Sequence, residues 1–289
     1  MTDSTGGYDA APGSSPDALT DRSARIVAAH KLLRRARRSE AGEFLADGAQ
    51  AVREAVAAER EAPGTVRELY VTAPAAARQV AIVRTALDLG IAVTEVTARA
   101  AAKLSDAVTP QGITARCTLP AAFADGLGSL LAGRPRLVAV LVETSDPGNA
   151  GTIIRLADAA GADAVIAAGD TVDPFGPKAV RASVGSVFHV PIVRAPRPEA
   201  LLAALADAGI RTLATTGTAE LTLPEADAAG LLAQPTAWLF GNEAHGLADG
   251  VIQAADHAIR IPIHGKAESL NLAAAAAICL YASATAQRR

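Results

Sequence analysis

The stretch RLVAVLVETSDPGNAGTIIRLADAAGADAVIAAG, residues 136–169, decides the fold class. It contains two runs, LVAVLV at 137–142 and ADAVIAAG at 162–169, that are apolar at nearly every position. Such runs are typical of strands buried on both faces of a parallel sheet. The segment between them, TIIRLADAAG at 152–161, has the apolar spacing of a helix. The stretch therefore predicts a strand–helix–strand unit with parallel strands.

The same alternation continues to the C-terminus. After residue 170, the predicted strands are VFHVPIV, RTLATT, AWLFG and HAIRIPI, and the predicted helices are KAVRASVGS, PEALLAALADAG and SLNLAAAAAICLYASATA. Residues 136–289 are thus predicted to form a doubly wound α/β domain. In such a domain the ligand site lies at the carboxyl ends of the strands.

A second, smaller domain is predicted upstream. Between residues 21 and 119, shorter strand-like and helical runs alternate, which indicates a small α/β/α sandwich. Residues 120–135 contain Pro and Gly without a strand pattern, so we predict a linker there. Residues 1–20 are rich in Gly, Ser, Pro and Asp without periodicity, which predicts a disordered tail.

Composition excludes several classes of protein. Half of the 289 residues are apolar and 3% are aromatic, as in a globular helix-rich α/β protein. Cys117 and Cys279 lie outside any cluster with metal-ligand spacing, so neither a metal site nor a disulfide framework is expected. The sequence has no apolar run of the roughly 18–20 residues that span a membrane and no signal-peptide pattern at its start, so a cytoplasmic protein is expected.

Positive charge is concentrated near the N-terminus, although the net charge is −3. Residues 22–38 include seven basic residues and no acidic one. The net charge argues against indiscriminate coating of nucleic acid. Two interpretations of the basic run stay open, a solvated helix face and a footprint for RNA phosphates. The candidate phosphate-binding residues are Arg34, Arg35, Arg37 and Arg38.

Three loops carry more polar and glycine residues than a simple connection needs. They are DPGNAGTIIR at 146–155, LFGNEAHGL at 239–247 and IPIHGKAESLNLAAA at 261–275. Taken singly, each has an ordinary interpretation: Asn149 as a helix N-cap, the second loop as a turn between two glycines, and the third as the start of a buried helix. Free backbone N–H groups at such a helix start can also bind polar groups of a ligand.

Together, in this order and spacing, the three loops resemble the three signature motifs of the SpoU (TrmH-like) branch of the SPOUT RNA methyltransferases. The residues that carry the resemblance are Asn149, Gly151, Ile153 or Ile154, Arg155, Gly241, Asn242, Glu243, Gly246, Pro262, Gly265, Ser269, Leu270 and Asn271. The segments RRARRSEAGEFLADG and SDAVTPQGI resemble the N-terminal substrate-binding domain of ribosomal-RNA members.

The resemblance implies a trefoil-knotted methyltransferase domain, S-adenosylmethionine as cofactor, a homodimer, and methylation of a ribose 2′-hydroxyl in RNA. It implies no metal. The catalytic residues implied are Arg155, Asn149, Glu243, Ser269 and Asn271. The cofactor-binding residues implied are Thr215, Thr216, Gly217, Phe240, Gly241, Asn242, Ile261, Ser269, Leu270, Asn271 and Ala273. Because a guanidinium is a poor proton acceptor, Arg155 is expected to orient the hydroxyl and stabilise alkoxide charge.

Four alternatives remain open on the sequence. A Rossmann methyltransferase or dehydrogenase would need a glycine-rich fingerprint after the first strand, and DPGNAG is not that fingerprint. A tRNA substrate is not distinguished from ribosomal RNA, which we favour. A non-catalytic RNA-binding or ribosome-assembly factor would not require all five candidate catalytic residues. A role in antibiotic resistance is not separated from a housekeeping role.

Overall fold

A computed structural model describes residues 17–289 of the chain, which divides into two compact units after Thr118. Residues 1–16, most of the predicted tail, lie outside the described residues. The predicted disorder does not extend to Leu19. Its N–H donates to the Glu95 carbonyl at 2.9 Å and its carbonyl accepts from the Thr97 N–H at 3.0 Å. The ordered chain of the first unit thus includes the end of the predicted tail.

The first unit contains a four-stranded sheet with the order β1-β4-β2-β3. Strand β4 is antiparallel to β1 and β2, whereas β2 and β3 are parallel. The strands are β1 (Glu43–Asp47), β2 (Val66–Val71), β3 (Val93–Glu95) and β4 (Ile113–Thr118). The helices are α1 (Ala24–His30), α2 (Arg35–Ala41), α3 (Ala49–Glu61), α4 (Ala73–Arg78), α5 (Val80–Asp88) and α6 (Ala98–Lys103), with a 3-10 turn at Lys31–Leu33.

Helices cover both faces of this sheet, as the sequence predicts. Leu45 and Tyr70 pack with Ile26 of α1 and Ala100 of α6 in one apolar cluster. Residues on alternate positions of a strand point to opposite faces, and β1 is buried at four successive positions. Helix α3 packs against β1, β2 and β4. The unit is therefore a three-layer sandwich.

The second unit contains a six-stranded sheet, all parallel, with the order β10-β8-β9-β5-β6-β7. Its strands are β5 (Leu137–Val142), β6 (Ala164–Ala168), β7 (Ile192–Ala195), β8 (Arg211–Thr215), β9 (Thr236–Phe240) and β10 (His257–Ile259). Its helices are α7 (Ala122–Asp125), α8 (Leu127–Ala132), α9 (Pro147–Ala160), α10 (Pro177–Ser183), α11 (Pro198–Asp207), α12 (Leu223–Ala228), α13 (Asp249–Ala254) and α14 (Leu272–Ala286), with 3-10 turns at Ser186–Phe188 and Leu231–Ala233.

The core of this unit confirms the predicted α/β class. Central strand β5 is buried at all six positions, as a strand covered on both faces must be. Helix α14 packs against α9, β5 and β9. The indole N–H of Trp238 on β9 donates to the Ser283 hydroxyl of α14 at 2.9 Å. This buried hydrogen bond satisfies both polar groups inside an otherwise apolar layer.

Two local expectations differ from the structure. Residues 120–135, expected to be a linker, include α7 and α8, and Leu127, Leu130 and Leu131 pack against the core of the second unit. The segment VFHVPIV was expected to be one strand, but its first residues belong to a 3-10 turn and β7 begins only at Ile192. Helix α10 ends at Ser183, and the two residues that follow it, Val184 with φ +54 and Gly185 with φ +99, make the tight left-handed turn into the 3-10 segment.

No helix within residues 17–289 is both long enough and apolar enough to cross a membrane.

Candidate active site

A pocket of about 560 Å³ opens at the carboxyl ends of β8, β9 and β10. The chain runs from β5 outward to β6 and β7 on one side, and later fills the other side with β8, β9 and β10. The strand order thus reverses at β5, where doubly wound sheets have their ligand crevice. The volume lies in the range of small-molecule and cofactor sites. The pocket thus lies at the strand ends, where the sequence predicts the site.

The carboxylate of Glu243, in the loop after β9, binds the loop that follows β5. One oxygen accepts from the Ser145 N–H at 3.0 Å and the Ser145 hydroxyl at 2.9 Å. The other accepts from the Asp146 N–H at 3.2 Å and from Nδ2 of Asn149 at 3.1 Å. Partial burial opposes ionisation, but these hydrogen bonds outweigh it and lower the pKa of Glu243. Glu243 is therefore an ionised acceptor that holds two loops together.

Two asparagines extend this connection to the other loops. Nδ2 of Asn271 donates to Oδ1 of Asn149 at 3.3 Å, which joins the first and third loops. Nδ2 of Asn242 donates to the Glu143 carbonyl at 2.9 Å, a second link between the first and second loops. Segments roughly a hundred residues apart in sequence thus form one hydrogen-bonded wall of the site.

Helix α9 begins at Pro147, earlier than its apolar pattern indicates, because Asp146 is its N-cap. The Asp146 carboxylate accepts from the Asn149 N–H at 2.8 Å and from Nζ of Lys178 at 2.9 Å. The hydrogen bond from Lys178, and then that from the Asn149 backbone, lower the pKa of Asp146. Asn149 is therefore not the cap, and its side chain is left to contact Glu243 and Asn271.

The third loop ends where Asn271 caps α14. Its Oδ1 accepts from the N–H groups of Ala273 at 2.9 Å and Ala274 at 3.3 Å. The side chain thus satisfies two free donors at the helix start while its amide nitrogen reaches Asn149. The predicted role of this segment as a helix start beside a ligand pocket agrees with the geometry.

Gly241 and Gly151 have no room for a side chain. A Cβ on Gly241 would lie 2.4 Å from the carbonyl carbon of Gly246, because the turn between them folds back on itself. A Cβ on Gly151 would lie 2.2 Å from the carbonyl oxygen of Ala179, where α9 and α10 touch. Both glycines therefore serve close backbone packing around the site.

The pocket lining fits S-adenosylmethionine in its mixture of surfaces. Ile261, Ile263 and Leu272 offer apolar area suited to a flat purine ring, whereas Thr215 and Thr216 offer polar groups suited to a ribose and an amino acid. The complete lining is Asn149, Thr215, Thr216, Gly217, Asn242, Glu243, Ala244, Gly246, Ile259, Ile261, Ile263, Glu268, Ser269, Leu270, Asn271, Leu272 and Ala275.

Most residues expected at the site line this pocket, and four do not. Phe240 and Gly241 are buried behind the β9 loop, and Ala273 is buried inside the first turn of α14. Six lining residues were not predicted from the sequence. They are Ala244, Ile259, Ile263, Glu268, Leu272 and Ala275. Strand-end position alone could have identified Ile259, while Leu272 and Ala275 share a face of the helix that starts at the pocket.

Arg155 is the fourth residue that does not line the pocket. It is exposed, and within residues 17–289 its side chain has no hydrogen bond or ion pair. Six residues of an α-helix bring a side chain about 120° around the axis, so Arg155 leaves α9 on a different side from Asn149. Its side chain is therefore free to meet a group from outside this chain.

The basic run in the first unit is only partly available to a ligand. Arg34, Arg35 and Arg37 are exposed. Arg38 is 4% exposed, and its guanidinium donates to the Leu32 carbonyl at 2.9 Å. A side chain so enclosed cannot contact phosphate without unfolding its surroundings. The prediction that Arg38 binds RNA is therefore wrong, and Arg38 has a structural role.

Comparison with known proteins agrees with this geometry. Residues 136–281 match the SpoU rRNA Methylase family, and residues 23–115 match the MRM3-like substrate binding domain. The chain is 32% identical over 254 residues to the 23S rRNA (guanosine(2553)-2′-O)-methyltransferase RlmP of Bacillus subtilis, covering 87% of this chain and 92% of that protein.

Two similar methyltransferases have been solved with AdoMet bound. The SpoU methyltransferase AviRb from Streptomyces viridochromogenes, in complex with AdoMet, has a TM-score of 0.74 and 30% identity, covering 92% of this chain and 98% of that one. An AdoMet-bound rRNA methyltransferase from Sinorhizobium meliloti has a TM-score of 0.73 and 28% identity, covering 92% and 97%. With its parallel sheet, its pocket and both matched domains, the chain belongs to the SpoU rRNA methylase family and is an RNA methyltransferase that uses S-adenosylmethionine.

Proposed function

We propose that this protein methylates a ribose 2′-hydroxyl of 23S ribosomal RNA. The observation that carries the proposal is the wall in which Glu243, Asn149 and Asn271 join three loops beside the pocket. A relative that is similar over most of both chains is named for 2′-O-methylation of 23S rRNA. The match of residues 23–115 to a substrate binding domain supports a role of the first unit in binding the RNA.

The residues of the chain divide into those that hold the cofactor and those that prepare the acceptor. When bound, S-adenosylmethionine supplies an electrophilic methyl group. We assign the binding of the cofactor to the backbone and side chains of Thr215–Gly217, Asn242, Ile261 and Ser269–Asn271, which line the pocket. Glu243 and Asn149 fix the loop after β5, so the acceptor meets a preorganised surface.

We assign Arg155 to the acceptor rather than to the cofactor. Its guanidinium is exposed and unpaired within residues 17–289, and it presents a planar set of donors. Such a group can orient a ribose hydroxyl together with a neighbouring phosphate and stabilise negative charge that develops on the oxygen. Because it stays protonated, it does not remove the proton itself.

Within the first unit, we assign RNA contacts to Arg34, Arg35 and Arg37. Arg34 is the N-cap of α2, and Arg35 and Arg37 lie in its first turn. Contacts to phosphate supply affinity and fix orientation but carry no sequence information. Recognition of the RNA by its shape would follow from the placement of such contacts.

We further propose that the protein acts as a homodimer through an exposed apolar face of α14. Ile278 is 40% exposed and Tyr281 is 66% exposed, and they lie on one side of the helix. Ala159 of α9 lies beside Tyr281. Arg155 lies one helical turn before Ala159 on α9. Light scattering should give twice the mass of one chain, and Tyr281→Asp should shift the protein toward the monomer. A monomeric wild-type protein at micromolar concentration would refute the dimer.

We also propose that the second unit contains the trefoil knot implied by the resemblance. We place the protein in the cytoplasm, where the enzyme would meet ribosomal RNA.

Transfer of labelled methyl groups tests the proposed substrate. Purified protein, S-adenosylmethionine and unmodified 23S rRNA or tRNA are incubated in parallel. We expect label in 23S rRNA at a ribose, which makes the adjacent phosphodiester resistant to alkali. Label in tRNA alone would show that the substrate is tRNA and not 23S rRNA. Absence of transfer to either RNA, with cofactor bound, would favour a non-catalytic RNA-binding factor.

A further inference from the structure

The cofactor pocket is negatively charged. Within residues 17–289, its lining contains two carboxylates, Glu243 and Glu268, and no Lys, Arg or His. His245 lies in the turn beside the pocket, and His264 and Lys266 lie in the loop before Glu268, but none of the three contributes to the lining. The charge at the pocket surface is therefore set by the two glutamates.

The two carboxylates differ in what they are free to contact. Glu243 accepts four hydrogen bonds from Ser145, Asp146 and Asn149, which compensate its charge and direct it toward the loop after β5. Glu268 is exposed at the pocket rim and has no hydrogen bond or ion pair with residues 17–289. It immediately precedes Ser269, whose segment forms one side of the pocket. Glu268 is thus the carboxylate available to a ligand.

Substrate and product of the reaction differ by one unit of charge. S-adenosylmethionine carries a sulfonium, an ammonium and a carboxylate, so it has a net positive charge. S-adenosylhomocysteine has lost the methyl group and with it the sulfonium charge, so it is neutral overall. A free carboxylate at the pocket attracts the first more strongly than the second. An ammonium group is common to both and cannot discriminate between them.

We propose that Glu268 is a specificity residue that makes the pocket favour the cationic cofactor over its neutral product. This inference rests on the assignment of the pocket to the cofactor. Its consequence is that the product leaves more readily than the cofactor, which limits inhibition by the product. The discrimination is electrostatic and partly exposed to solvent, so about 3- to 10-fold in relative affinity is expected rather than several orders of magnitude.

Binding titrations with three ligands test the proposal without any turnover. Calorimetry measures the Kd of S-adenosylmethionine, S-adenosylhomocysteine and sinefungin, a cationic analogue with an amine-bearing carbon in place of the sulfonium. In Glu268→Gln we expect the affinity for both cations to fall by about 3- to 10-fold and that for S-adenosylhomocysteine to change less than about 2-fold. Added salt should weaken binding of the cations more in the wild type than in the variant.

The control is Glu199→Gln, which removes an exposed carboxylate at the start of α11 that does not line the pocket. It should change none of the three Kd values. Equal weakening of all three ligands in Glu268→Gln would show that Glu268 packs or binds the shared ammonium, and unchanged Kd values would show that it has no role. Either result overturns the inference but leaves the proposed function intact. If the wild type bound none of the ligands, the cofactor assignment would fail as well.

Discussion

Glu243→Gln removes the charge at the centre of the hydrogen-bonded wall while keeping the shape of the side chain. The wild-type carboxylate accepts four hydrogen bonds at 2.9–3.2 Å, two on each oxygen. A glutamine keeps one acceptor oxygen. Its NH2 group can only donate, so it cannot accept hydrogen bonds either from Ser145 or from Asp146 and Asn149. Two charged hydrogen bonds are lost, so unfolding becomes easier by about 1–2 kcal/mol after discounting for the exposure of Glu243 to solvent.

The pH dependence gives this prediction a sign. Because the pKa of Glu243 is lowered by folding, its contribution to stability is complete above its usual value of 4.5 and disappears as the pH falls through the folded pKa. The free energies of unfolding of wild type and variant, from urea titrations, should therefore differ at pH 7, and the difference should shrink as the pH falls below 4.5. Cofactor affinity should fall in parallel at pH 7. An equal difference at pH 7 and pH 3 would refute the assignment of this stability to the ionised carboxylate.

Three further predictions concern Arg155, the basic run and the contact between α9 and α10. Arg155→Ala and Arg155→Lys should each slow single-turnover methylation by about 10²–10³ while leaving the cofactor Kd unchanged; a near wild-type rate for the Ala variant would remove Arg155 from the mechanism. Replacing Arg34, Arg35 and Arg37 together by Ala should lower the log–log salt slope of RNA binding by roughly 0.7–0.9 for each lost phosphate contact, and an unchanged slope would leave the run a solvated helix face. Gly151→Ala should destabilise the protein by about 1–3 kcal/mol in thermal or urea unfolding, since its Cβ would meet the Ala179 carbonyl, and a variant as stable as wild type would contradict that packing.

The strands of the second unit could be predicted because a buried parallel strand is apolar at successive positions. The pattern LVAVLV at 137–142 places β5 correctly, and the polar loops after β5 and β9 then fall at the same edge of the sheet. The order of the six strands could not be predicted, because pairing between distant segments depends on packing that a local pattern does not encode.

The start of α9 shows the limit of local capping rules. Asp146 and Asn149 are both residues that cap helices well, and the sequence interpretation considered only the second. The structure selects Asp146, with Pro147 in the first turn, where its missing N–H costs nothing. The freed Asn149 side chain is what reaches Glu243, a contact across 94 positions that no spacing rule indicates.

The remaining predictions were wrong because the sequence did not show which side chains are buried. Four arginines between residues 34 and 38 look alike in sequence, but only Arg38 lies on the inner side of α2. Phe240 ends a strand whose five positions are all buried, so its side chain packs in the core although its neighbours Asn242 and Glu243 line the pocket. In 120–135, Leu127, Leu130 and Leu131 have helical spacing that a test for strands overlooks.

Mapping of ribose methylation in ribosomal RNA tests the central claim most directly. Sites are compared between a strain that carries the gene, a strain that lacks it, and the second strain supplied with either the wild-type gene or Arg155→Ala. Methylation at one ribose of 23S rRNA should disappear on deletion, return with the wild-type gene and stay absent with the Arg155 variant. If every ribose methylation of 23S rRNA persists in the deletion strain, the protein does not methylate 23S rRNA and the proposed function is wrong.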